Sequence, residues 1–185
     1  MKDSLLLLSH FLKNPREVGS IAPSSKFLTN GIISSIDFKK SKIIIELGPG
    51  VGTFTKCILK KADPKARLFC FEVNKKFCEY MSKNITDERL MVINAPAQDL
   101  TSNSKKFGIK KADCIISGLP FLNFPDKKRR KILDEIKNAL SDNGRFILFQ
   151  YTSGLINLLE EYFSKVEKKF IPLNMPPSFV YVCEK

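Results

Sequence analysis

Two kinds of apolar pattern alternate along the chain. Short unbroken runs, rich in β-branched and aromatic residues, stand at "KIIIEL" (42–47), "ARLFCFEV" (66–73), "RLMVINA" (89–95), "ADCIISGLP" (112–120) and "RFILFQYT" (145–152). Between them lie segments whose apolar positions recur at helical spacing: from Thr53 to about Lys61, near Lys75–Asn84, from about Pro125 to Leu140 ended by "DNG", and a last one through Phe163. Runs apolar at every position are those buried on both faces of a parallel sheet, whereas helices carry one apolar stripe. Strands separated by helices require right-handed crossovers, and so helices on both faces of the sheet. Residues 96–111 carry no clear stripe and read as a basic loop. Two further strand-like pieces, "VEKKFI" (166–171) and "SFVYVCEK" (178–185), lie within hairpin reach of each other and predict an antiparallel edge. The expected class is α/β: a doubly wound, mainly parallel seven-stranded sheet of Rossmann-like form. Its boundary is placed at 41, with residues 1–40 as an N-terminal helical segment and 41–185 as the main domain.

Directly behind the first run, "ELGPGVG" (46–52) puts Gly48, Gly50 and Gly52 on alternate positions. Glycine in such density sacrifices conformational entropy, so a tight turn or the close approach of a ligand is implied. In a doubly wound sheet this place is the carboxyl end of the first core strand, where ligands bind and the next helix presents its N-terminal amides. The dinucleotide fingerprint Gly-x-Gly-x-x-Gly would need glycine at 53, which is Thr53. Glu46 precedes the turn, and Glu72 ends the second strand, placed to accept from both hydroxyls of a ribose. A glycine-rich turn without ligand is the bland alternative.

Composition narrows the partners. The 185 residues suit one domain with a sizeable core, and 43% hydrophobic against 27% charged is ordinary for a globular chain. With 31 Lys+Arg against 19 Asp+Glu, the net charge of +12 favours an anionic partner, either nucleic acid or an anionic membrane surface. The densest clusters are "KKFGIKK" (105–111) and "DKKRRK" (126–131), which also fit plain solvated faces. Five cysteines without a Cys-x-x-Cys pair, and no visible signal peptide, suggest reduced thiols in the cytoplasm and no metal site. Apolar runs fall far short of the ~20 residues that span a bilayer.

On "ELGPGVG", on Glu72 and on "APAQDL" (95–100), the chain resembles the class I S-adenosylmethionine-dependent methyltransferases. That resemblance implies S-adenosylmethionine as cofactor, held by Glu46, Gly48, Gly50, Gly52 and Glu72. It further implies one of Ala97, Gln98 and Asp99 near the adenine, and Ser117 at the end of the fourth strand. "FLKNPREVGSIAPSS" (11–25), "SGLPF" (117–121), "FILFQYT" (146–152) and "NMPPSFVYVCEK" (174–185) are similar to the small bacterial phospholipid N-methyltransferases, which act on phosphatidylethanolamine. Ribosomal RNA adenine dimethylases are the competing relatives. Their fourth motif reads Asn-Leu/Ile-Pro-Tyr/Phe, the Asn accepting from the base amine, whereas Gly118, Leu119, Pro120 and Phe121 stand here. An appended RNA-binding domain of their kind is not recognisable. RNA is therefore the second expectation, after an amine phospholipid at the inner face of the membrane.

Methyl transfer to nitrogen needs a neutral amine, alignment and exclusion of water. Phe121 and Tyr151 are the expected lining of the acceptor pocket, since aromatic faces tolerate a cationic product. Either could equally be a core aromatic. Tyr151 and Tyr181 are possible bases, as is a route through water. Arg16, Ser24, Ser25 and Lys26 are candidates for a lipid phosphate, although Ser24 could simply cap a helix starting near Ser25. His10, the one histidine, fits a surface position. On a helical wheel Met1, Leu5, Leu7, Leu8, Phe11 and Leu12 share one face, which suits a membrane interface or docking on the protein's own core.

Overall fold

In the computed structural model residues 25–185 are described. Among them one sheet of seven strands runs in the order β3-β2-β1-β4-β5-β7-β6. Its strands are β1 (Ile43–Leu47), β2 (Arg67–Phe71), β3 (Leu90–Ile93), β4 (Ala112–Ser117), β5 (Leu140–Gln150), β6 (Lys165–Ile171) and β7 (Ser178–Glu184). The first five are parallel, and β7 pairs antiparallel with both β5 and β6. Helices α1 (Lys26–Ile33), α2 (Thr53–Lys61), α3 (Lys75–Asn84), α4 (Leu100–Lys106), α5 (Asp126–Ala139) and α6 (Ile156–Tyr162) cover the two faces.

Alternation along each strand divides the core in two. Ile45, Leu47, Phe69, Phe71, Ile115 and Leu148 face one layer with Leu100 of α4, Leu133 of α5 and Leu159 of α6. Their neighbours Ile44, Leu68, Cys70, Ile116, Ile147 and Phe149 face the other, with Ile32 of α1, Ile58 of α2 and Met81 of α3. An unbroken apolar run is what a strand needs when both of its faces are dry. Among these positions Glu46 is the exception, a carboxylate only 1% exposed in the middle of the most apolar strand.

Two expected boundaries move. "DNG" does not stop α5. The helix ends at Ala139, and β5 starts at once from Leu140, taking in Asp142–Gly144. The register jumps there, from Ala112↔Leu140 to Cys114↔Arg145, so an irregular bulge absorbs the turn-like residues without breaking the pairing. Residues 97–106 are not a loop but a 3₁₀ turn (Ala97–Asp99) followed by α4. The stretch "TSNSKK" has no apolar stripe because tertiary contacts hold it: Leu100 enters the core, and Thr101 N donates to Glu135 Oε2 of α5 at 2.6 Å.

β1 is flanked by β2 on one side and β4 on the other, so the chain direction of winding reverses between β1 and β4. The carboxyl ends of β1, β2 and β4 therefore meet at the switch point where such sheets bind ligands.

Candidate active site

The turn after β1 is built for close approach. Gly48, Gly50 and Gly52 all have positive φ, at 68°, 59° and 79°, a region that side chains disfavour. A Cβ on Gly48 would lie 2.8 Å from Leu119 Cδ2, and one on Gly118 would lie 2.9 Å from Gly48 O. The ends of β1 and β4 thus touch through backbone, with Gly118 N donating to Leu47 O at 2.9 Å, and Gly118 has no room for a side chain, while Gly48 is held to glycine by its positive φ. Gly52 forms the cap of α2 without a side-chain hydrogen bond, which leaves first-turn amides facing the turn.

Two carboxylates flank this turn in different environments. Glu72 accepts from Gly50 N (3.1 Å) through Oε2 and from Asn74 N (2.9 Å) through Oε1, clamping the glycine turn to the end of β2. Burial raises its pKa, and those backbone donors oppose the rise. Glu46 Oε2 accepts from Thr55 Oγ1 of α2 at 2.6 Å and from Cys70 Sγ at 3.6 Å, while Oε1 is buried with no partner. Burial pushes its pKa up to about 7. A cradle without side chains and a carboxylate at the end of β2 fit a ligand that carries a diol, as S-adenosylmethionine does.

The remaining expected cofactor residues are placed unevenly. Ala97 is buried, Gln98 half-buried and Asp99 exposed, so Gln98 presents the polar side chain of this turn that is only partly covered. Ser117 is fully buried, and its Oγ accepts from Leu119 N (3.1 Å), shaping the next turn. Three contributors escaped the sequence reading. Thr55 holds Glu46, Asn94 Nδ2 ties the end of β3 to Glu72 O (2.8 Å) and Val73 O (3.0 Å), and Gln150 lies in the acceptor pocket. Only Gln150 left a signal, as an amide interrupting "FILFQYT".

Beside the turn a cavity of ≈ 130 Å³ opens between the ends of β4 and β5, with Gly118, Leu119, Leu122, Phe149, Gln150 and Tyr151 in its lining. Tyr151 is half-buried there and meets Phe149 edge-on, with ring centroids 5.9 Å apart. Phe121 corrects the expectation. The 3₁₀ turn Phe121–Asn123 points its ring into the core, 0% exposed, against Phe146 at 6.2 Å and Phe124 at 6.4 Å. The same turn hands Leu122 and Asn123 to the pocket instead. Tyr181 is likewise fully buried on β7, its hydroxyl 3.5 Å from Thr152 O beneath the pocket. Its pKa is raised by burial, so it is a poor base. Ser25 caps α1 by accepting from Leu28 N (3.2 Å) and donates to Asn174 Oδ1 (2.6 Å), and Lys26 is exposed beside it. Arg16, Ser24, His10 and the amphipathic stretch 1–13 lie outside the described residues.

Sheet order and glycine turn are those of the class I S-adenosylmethionine-dependent methyltransferases, and the relatives below make the protein an N-methyltransferase. The chain belongs to the ribosomal RNA adenine dimethylase family, whose profile matches residues 11–139. Among its relatives is the ornithine lipid N-methyltransferase of Singulisphaera acidiphila, 29% identical over 185 residues, 99% of this chain and 96% of that protein. The ribosomal RNA small subunit methyltransferase A of Mesomycoplasma hyopneumoniae is also 29% identical, over 76% of this chain but only 54% of its own length. A crystal structure of precorrin-6y C5,15-methyltransferase from Geobacter metallireducens shares the fold, with a TM-score of 0.67 at 13% identity over 85% of this chain and 88% of that one.

Proposed function

We propose that the protein methylates the amine head group of a lipid at a membrane surface, with ornithine lipid or phosphatidylethanolamine as acceptor. The observation that carries this reading is the backbone contact between Gly118 and Gly48 O. A side chain at 118 would start 2.9 Å from that oxygen, so the amide that a base-methylating relative uses there has no room. What opens instead is a narrow, mainly apolar pocket suited to an alkyl amine. The end-to-end likeness to an ornithine lipid N-methyltransferase supports it.

Gly48 to Gly52, Glu72 and Gln98 would hold the cofactor, with Glu46 behind the turn. Bound there, S-adenosylmethionine supplies an electrophilic methyl group. The chain's own work is positional: Leu119, Leu122 and Phe149 exclude water, and Phe149 with Tyr151 offers aromatic faces to a cationic product. Among the described residues the lining holds no Asp, Glu, His or Lys, which favours loss of the ammonium proton through water at the mouth.

A second feature favours a membrane. Leu173 (66% exposed) and Met175 (88%) project from the β6–β7 loop, and Phe27 (51%) from the start of α1. These apolar side chains stand on a stapled frame: Asn174 accepts from Ser25 Oγ and donates to Pro176 O (2.6 Å) and Ser178 Oγ (2.7 Å). β7 begins opposite Gln150, so the loop lies at the same end of the sheet as the acceptor pocket. Exposed apolar groups held in place, with the exposed Lys26 adjoining Phe27, suit an anionic bilayer. No helix among the described residues is long and apolar enough to cross one.

Methylation of RNA adenine is the second reading, favoured by the family match and the +12 charge. Incubation with methyl-labelled cofactor, separately with amine-lipid vesicles and with unmethylated ribosomal RNA, decides. Label in lipid supports the proposal, and label in RNA alone overturns it.

A further inference from the structure

Among the described residues Gln150 is the one buried polar side chain lining the acceptor pocket, only 6% exposed at the end of β5. Its orientation is determined by its partners. Nε2 donates to Phe149 O at 2.6 Å and to Leu119 O at 3.0 Å, and two carbonyl oxygens admit only the NH₂ end of the amide. Oε1 is therefore turned away from both. It accepts no hydrogen bond among the described residues, and unlike Glu46 Oε1 it is not sealed from the pocket. Asn123, the other amide of the lining, is exposed and has water to satisfy it. An amide oxygen that is fixed by its own NH₂ group, open to the pocket and unused by the described residues is set to receive a donor.

We propose that Gln150 Oε1 accepts an N–H of the acceptor amine and so aims the nitrogen lone pair at the methyl donor. A neutral primary amine rotates freely about its C–N bond, and one N–H held by a rigid acceptor removes that freedom. The lone pair forms the new N–CH₃ bond as the C–S bond breaks and its electrons pass to sulfur. The ammonium product then loses a proton to water. Gly118 supplies no side chain for this task, so the oxygen comes from the neighbouring strand, held in place by Leu119 of the same β4 turn. The inference rests on the lipid-amine reading only for the choice of acceptor.

The number of N–H groups provides the test. A neutral primary amine has two, its monomethyl form one and its dimethyl form none. Gln150→Met, similar in size and without an acceptor oxygen, should lower turnover of primary- and monomethyl-amine lipids about tenfold, the scale of one lost hydrogen bond. Turnover of the dimethyl lipid, or its inhibition of primary-amine turnover if it is not a substrate, should change less than about twofold on the same scale. Gln150→Glu loses the same Nε2 clamp but keeps an acceptor, and should retain more primary-amine activity than Gln150→Met. Cofactor affinity by calorimetry should match wild type in both. Gln150→Leu replaces Gln150→Met should the latter not fold. Equal losses on all three amines, or Glu no better than Met, would overturn the role of Oε1 and leave Gln150 as a clamp. If wild-type protein labels RNA and no lipid, the lipid reading fails, and the Met-against-Glu comparison is read on RNA.

Discussion

Glu46 lies in β1 and Glu72 directly follows β2, yet their surroundings give them different work. Glu72 is satisfied by two backbone amides, so its carboxylate links the glycine turn to β2 and is set to receive a diol. Replacing it by Ala should weaken S-adenosylmethionine binding by roughly 1.5–3 kcal/mol, the range for hydrogen bonds to a charged group. Isothermal calorimetry on the folded variant checks this, and unchanged affinity would dismiss its role. Glu46 has a pKa of about 7 against an ordinary 4.5, chiefly through burial. The folded state thus binds the proton more tightly than the unfolded state. Stability of the cofactor-free protein is then highest below about pH 4.5 for this group and falls as pH rises to about 7, by about 3 kcal/mol in total. Glu46→Gln should flatten that slope and raise the melting temperature at pH 8 relative to wild type. Parallel slopes in thermal melts from pH 5 to 8 would show that Glu46 is not the titrating group.

The short elements around the site act as levers on it. Phe121 sits on a single 3₁₀ turn between β4 and α5, with its ring packed on Phe146, and so anchors the turn that carries Leu122 and Asn123 into the pocket. Phe121→Ala should cost about 3–5 kcal/mol of stability through the cavity it leaves, on the scale of buried aromatic truncations. Chemical denaturation measures that loss. A stable variant with selectively impaired turnover would instead return Phe121 to the acceptor side.

For the whole molecule, the relevant facts are an excess of 12 positive charges and an apolar edge on the same end as the pocket. Leu173→Asp with Met175→Asp should reduce sedimentation with anionic vesicles severalfold while leaving cofactor affinity unchanged, because apolar insertion and charge attraction act together. Added salt should weaken wild-type binding further, as screening shortens the reach of the lysines. Vesicle binding indifferent to both changes would remove the membrane edge from the argument.

Alternation of apolar runs with amphipathic segments was enough to determine the α/β class, the first four core strands within two or three residues at each end, and the approximate extents of helices α2 and α3. Those elements are buried on both faces or along one stripe, so local pattern and tertiary environment agree. The glycine turn, Glu46 and Glu72 were legible for the same reason, since backbone geometry at a strand end is written in residue type. The tertiary structure alone decided the rest. α4 carries no stripe and is held by α5. The "DNG" bulge is held in the sheet by its neighbour β4. Phe121 and Tyr151 both looked like pocket aromatics, but a single 3₁₀ turn sends Phe121 inward. Gln150 gains its meaning from Leu119 O, 31 positions earlier in the chain. Side-chain direction and partners far apart in sequence depend on how strands are laid side by side, which no local pattern encodes.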